Sequence, residues 1–112
     1  MATLLVTHPA CLDHITPLVH PERSDRLKVV DRVLEDEKFQ TLAREQAPAA
    51  ALETIALAHP MDYIEQIRDA CPTVGMVRID ADTSMSPGSF EAASRAVGGI
   101  TLAVDELSLI HI

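Results

Sequence analysis

Apolar positions recur in alternating steps of three and four from Phe90 through Ala93, Val97, Ile100 and Val104 to Leu107, the most regular pattern in the chain. That period predicts an amphipathic helix whose stripe packs on an apolar partner. Ala92, Ala96, Gly99 and Ala103 form a small-residue row beside the stripe, which permits close approach of a strand or a second helix. Gly98 and Gly99 each cost roughly 1 kcal/mol relative to alanine inside a helix, so the contact made there has to offset that loss.

The remaining pattern is shorter-ranged. Leu4-Leu5-Val6-Thr7 is too brief for a helix and ends at His8-Pro9, so it reads as a buried strand. Residues 8–20 carry three histidines, two prolines and no sustained period, the mark of an irregular loop. From Pro21 to about Glu37, Leu27, Val30 and Leu34 recur at three and four, with Val29 and Val33 widening the stripe of an amphipathic helix. Phe39, Leu42 and Ala47 show no clear face, and a turn with a loosely held connection is expected up to Pro48. A short helix is expected within Ala50 to Ala58, stopped by His59-Pro60, because the residue before proline is pushed out of the α region. A further helix starts at Pro60 with Ile64, Ile67 and Cys71 on one face. Met76 to Ile79 is a second short strand, and both strands are of the parallel type that needs neighbours on each edge.

With 112 residues the chain is one domain at most, and 47% apolar content permits a core if it is compact. A net charge of −8 argues against nonspecific binding to nucleic acid or an anionic membrane, and suits a cationic ligand better. Cys11 and Cys71 lack CxxC spacing and nothing before Thr3 resembles a signal peptide, so a soluble cytoplasmic protein with reduced thiols is expected.

Candidate chemistry sits in two places. His20-Pro21-Glu22-Arg23-Ser24-Asp25-Arg26-Leu27 joins a helix start at Pro21 to a charge cluster. Its arginines can form solvated ion pairs at a helix end or place a guanidinium beside a buried anion. His8, His14 and His20 are six apart, which is not the i, i+4 spacing of a helical metal pair, so loop and capping roles are favoured. Asp80 and Asp82 follow a strand, where two carboxylates can converge on a cation or simply bond their own backbone in a turn. Ser86-Pro87-Gly88-Ser89 forms a turn in which either serine can cap the next helix. Cys71 reads as a packed thiol, since no basic partner is evident.

Asp13-His14-Ile15-Thr16-Pro17 leading into HPERSDRL resembles the N-terminal signature of the histone deacetylase superfamily, particularly its bacterial acetoin-utilisation and acetylpolyamine amidohydrolase members. Asp80-Ala81-Asp82-Thr83-Ser84-Met85-Ser86-Pro87-Gly88-Ser89, running into Glu91-Ala92-Ala93, is similar to the family's strand, substrate-rim loop and following helix. A weaker match is Ala58-His59-Pro60-Met61-Asp62-Tyr63-Ile64. The three occur in family order and cover roughly residues 4 to 106.

The resemblance implies the N-terminal portion of a three-layer αβα fold with a mostly parallel sheet, incomplete in this chain. It implies hydrolysis of the N-acetyl amide of acetyl-lysine or an acetylpolyamine at a zinc ion that activates water. The family's histidine pair, zinc ligands and catalytic tyrosine match nothing here: Tyr63 is misplaced, and His14 and His20 are not adjacent. Neither zinc nor catalysis is therefore expected of the chain alone. Two positions carry over. Arg23 matches the arginine lining the inner product channel, and Asp82 matches the rim aspartate that accepts hydrogen bonds from substrate N–H groups, with Asp80 as the alternative register. The other reading is a free-standing small α/β interaction domain without catalysis. Residues 1–106 are assigned to the deacetylase-like part, whereas Leu107 to Ile112 resembles adapter read-through at the end of a metagenomic reading frame, or else a native apolar tail.

Overall fold

In the computed structural model, which describes residues 3–110, the strand Leu4–Thr7 (β1) lies parallel to a strand Ala43–Gln46 (β2), with Leu4 opposite Ala43 and Thr7 opposite Gln46. The pairing extends past the start of β1 and the end of β2, since Ala43 N–H donates to Thr3 O at 2.9 Å and Ala47 N–H to Thr7 O at 2.8 Å. β1 is the strand its apolar residues predict. β2 overturns the expected loose connection: its Ala-Arg-Glu-Gln run is exposed throughout and has no alternation, so it is a strand because β1 supplies the backbone partners.

After β1 a 3-10 turn, Pro9–Asp13, is capped by His8, whose Nδ1 accepts from Ala10 N–H at 3.0 Å. The first α-helix, α1, spans Asp25–Val33, starting four residues later than the proline suggests. Pro21 is not its first residue, because Glu22 N–H is bonded to His20 Nδ1 and Glu22 O to the Thr16 hydroxyl, which pins residues 20–22 into the loop. α1 also ends before Glu37, and the Arg44 guanidinium donates to the Leu34 and Phe39 carbonyls beyond it. A single helical turn, Leu52–Ile55 (α2), precedes Met61–Ala70 (α3), which begins just after Pro60 as expected.

Val77–Asp80 (β3) pairs antiparallel with Thr83–Met85 (β4), with an irregular register between Arg78 and Asp80. The expectation that this strand is of the parallel type is thereby corrected. A sharp turn through Ala81 and Asp82 returns the chain on itself, and local hairpin pairing satisfies backbone groups that a crossover would have left for another strand.

Ser89–Ile110 forms the long helix α4, which packs across β1 and the Pro9–Asp13 turn. Its contact is made by small residues: Ala92 and Gly98 are buried, while Ile100, Val104 and Leu107 of the apolar stripe are 68%, 56% and 57% exposed. The C-terminal half of the stripe therefore does not make the packing predicted for it within this chain, whereas Phe90 and Val97 are half-buried. α1 shows the same imbalance, with no buried residue and with Leu27, Val29, Val30 and Val33 all exposed. The core is correspondingly small, built from Ala10, Ala47, Ile64, Met85 and Ala92, with Ser86, Ser89 and Ser94 buried among them. Among the described residues the result is a mixed α/β arrangement with one parallel strand pair, one hairpin, and apolar helix faces left uncovered.

Candidate functional site

The loop before α1 and the segment between β3 and α4 meet through two sets of bonds. In the first, Ser86 is almost completely buried, and its Oγ accepts from Ile15 N–H at 2.9 Å while donating to Asp13 O at 3.0 Å. Ser89 Oγ accepts from Ser86 N–H at 2.7 Å and lies 2.6 Å from His14 Nδ1 and 3.2 Å from Ser86 Oγ. Because the Ser86 proton goes to Asp13 O, the Ser89 proton serves either Ser86 Oγ or His14 Nδ1. Cys71 Sγ donates to Ser86 O at 3.4 Å from below, so this thiol is a packing and bonding group, as expected. Gly88 completes the stitch: a Cβ there would stand 2.6 Å from both the Cβ and the carbonyl oxygen of Asp13.

The second set joins His20 to the β3–β4 turn. His20 Nε2 lies 3.0 Å from Asp82 Oδ1, and Glu22 N–H donates to His20 Nδ1 at 3.1 Å. Since Nδ1 is an acceptor in that pairing, the neutral ring carries its proton on Nε2 and donates it to Asp82. The hydrogen bond to Asp82 raises the His20 pKa, with the carboxylate charge adding to it against partial desolvation. Asp80 has the turn role: its Oδ1 accepts from Asp82 N–H at 2.9 Å, and that bond, followed by one from the Thr83 hydroxyl, lowers its pKa. Arg78 closes the same turn by donating to Asp80 O at 3.3 Å and Ala81 O at 2.9 Å.

The two residues singled out from sequence are placed differently. Asp82 is 91% exposed at the hairpin tip, anchored to His20. Arg23 lines a cavity of about 370 Å³ with Cys11, His14 and Glu22, and its Nε is 3.8 Å from Asp25 Oδ2. His14 and Glu22 also line an adjoining cavity of about 800 Å³ whose walls include Asp31, Tyr63, Asp80 and Ser89. His14 Nε2 and Glu22 Oε1 are 3.8 Å apart between them. Cys11 lines the walls of both cavities, and burial raises its thiol above its ordinary range. No hydrogen bond or ion pair among the described residues joins Arg23 to Asp82; they are connected through the short run from His20 to Arg23.

Sequence reasoning missed the His20–Asp82 bond, which spans 62 positions and leaves no local trace. It read Ser86-Pro87-Gly88-Ser89 as a turn with helix-capping serines, and not as the stitch to Asp13, His14 and Ile15. Among the described residues no three His, Cys, Asp or Glu side chains gather as a metal-ligand group, so they do not make up a zinc site.

Residues 20–110 match the family described as the histone deacetylase domain. Among solved structures the crystal structure of the HDA15 HD domain is similar, with a TM-score of 0.76 and 20% identity over 88% of this chain. The chain covers 30% of that structure, and at such identity the likeness shows the fold. No curated protein matches. Among the described residues no helix is long and apolar enough to cross a membrane.

Proposed function

Because the chain belongs to the histone deacetylase domain family, we propose that it supplies the substrate-rim and inner-channel segments of a domain that hydrolyses N-acetyl amides to acetate and free amine. The substrate class is an acetylated lysine side chain or an acetylated polyamine. Zinc, on which this family generally depends, supplies an activated water and polarises the amide carbonyl when bound. Among this chain's described residues no metal-ligand group gathers, and on this reading hydrolysis belongs to a larger domain.

The observation that carries this reading is the division of labour in the β3–β4 turn. Asp80 is committed to the turn backbone, whereas Asp82 points one oxygen at His20 and accepts no bond on Oδ2 among the described residues. An exposed carboxylate held in this way can accept hydrogen bonds from substrate N–H groups and attract a cationic amine carrier. Arg23 provides the complementary feature at the cavity it lines with His14 and Glu22, where a planar guanidinium can hold departing acetate through two parallel hydrogen bonds.

The test is turnover by the whole domain carrying these residues. Asp82→Asn is expected to lower kcat/KM for an acetyl-lysine peptide by on the order of tenfold or more, the loss of a charge-assisted bond. Arg23→Lys is expected to lower turnover more than zinc content, because a point charge lacks the planar fork. Unchanged kinetics in both variants would return Arg23 and Asp82 to purely structural roles.

A further inference from the structure

We infer that His20 is a positioning residue for Asp82: it fixes one carboxylate oxygen of the hairpin tip so that the other is presented to substrate N–H groups. The inference rests on the substrate-facing role proposed for Asp82 and adds the device that orients it. Asp82 is 91% exposed on a short turn, and a carboxylate so placed would rotate freely without an anchor. His20 has both ring nitrogens engaged, accepting from Glu22 N–H at 3.1 Å and donating to Asp82 Oδ1 at 3.0 Å, so the ring has one tautomer and one orientation.

The loop that delivers the ring is itself constrained. His20 N–H donates to Pro17 O at 3.2 Å, closing a turn in which Val19 takes φ +59°. A β-branched residue is costly in that left-handed region. Leu18 and Val19 are 93% and 98% exposed, so no packing of their side chains accounts for the bend. Strain of this kind persists where surrounding bonds determine the geometry, and here they do: Thr16 donates to Glu22 O, fastening both sides of the loop. The other nearby charges are engaged elsewhere. Glu22 faces His14 at 3.8 Å, Arg23 faces Asp25 at 3.8 Å, Asp80 holds Asp82 N–H, and Arg78 bonds the turn carbonyls, which leaves Asp82 as the charge His20 meets.

Two substitutions separate the functions of the ring. Glutamine can place an N–H donor where Nε2 stands and loses the acceptor for Glu22, whereas asparagine can place an acceptor where Nδ1 stands and loses the donor to Asp82. In the 112-residue chain, imidazole nitrogen spectra should show the neutral His20 ring as the Nε2–H tautomer, and Asp82→Asn should lower the His20 pKa by removing the bond that raises it. Amide exchange at Asp82 and Thr83 should accelerate on the order of fivefold in His20→Asn, the scale of one hydrogen bond, and stay near wild type in His20→Gln. In the whole domain His20→Asn should raise KM for an acetyl-lysine peptide with little change in kcat, and His20→Gln should restore it. Equal loosening in both variants, or an Nδ1–H tautomer, would overturn the positioning role. If instead the substrate role of Asp82 is what fails, the spectra and exchange rates will hold while Asp82→Asn leaves whole-domain turnover unchanged.

Discussion

Gly98 of α4 lies so close to Pro48 that a methyl group in its place would overlap the Pro48 carbonyl. The neighbouring Ser94 holds the same segment, its Oγ accepting from Ala50 N–H at 3.0 Å, and Arg95 donates to Ala47 O at 3.0 Å. One turn of helix thus anchors the exit from β2 through backbone contact that a larger residue would prevent.

Gly98→Ala is accordingly expected to cost about 3 kcal/mol, the upper end for overpacking. Exchange of the Ala50 amide should rise by about two orders of magnitude in response. Gly99→Ala is the control, because its Cβ would stand 3.2 Å from Ala47 Cβ, and the gain in helix propensity of about 1 kcal/mol offsets that crowding. Equal exchange rates in the two variants would contradict the close-approach role of Gly98.

Ser86→Ala tests the stitch between the two functional segments. It leaves Ile15 N–H and Asp13 C=O without their partner at a position only 2% exposed, and the expected cost is about 1–3 kcal/mol. Amide exchange at Ile15 should accelerate accordingly, while the β1–β2 amides change little. Protection at Ile15 equal to wild type would show that the loop is held by other means.

The contact between the loop and the hairpin should depend on pH in both directions. His20 is raised, so the contribution of its charge to the Asp82 contact is complete below its ordinary pKa of about 6.5 and is lost as pH rises through the higher folded value. Above that value the neutral ring keeps its Nε2–H bond and accepts from Glu22 N–H. Asp80 is lowered from 3.8, so its contribution is complete above that value and is lost as pH falls through the lower folded one. Exchange protection at Asp82 and Thr83, corrected for intrinsic rates, should therefore be greatest between about pH 4 and 6.5. Protection that rises steadily through neutral pH would contradict the assignment of His20 as the partner of Asp82.

These contacts also mark what could be read in advance. β1 and α4 were legible because Leu4–Thr7 and the Phe90–Leu107 period are local patterns. β2 was not, because Ala-Arg-Glu-Gln is a strand only through pairing with β1. The start of α1 was misplaced because Pro21 is governed by bonds at Glu22 with His20 and Thr16. The close approach of small α4 residues was legible, whereas the exposure of Ile100, Val104 and Leu107 was not. Arg23 and Asp82 became candidates through family resemblance, whereas the His20 anchor that distinguishes Asp82 from Asp80 exists only in three dimensions.

The faces of α1 and α4 lie exposed on a chain that spans 30% of the HDA15 HD domain it resembles, and on the proposed function a larger domain covers them. Hydrophobic-dye binding followed through a thermal melt of the purified 112-residue chain tests this most directly. The expected result is dye binding before any unfolding and a broad transition, because Leu27, Val30, Ile100 and Val104 lack the partners that make packing cooperative. A monomer that binds no dye and melts in one steep two-state step would contradict it and favour a free-standing small domain.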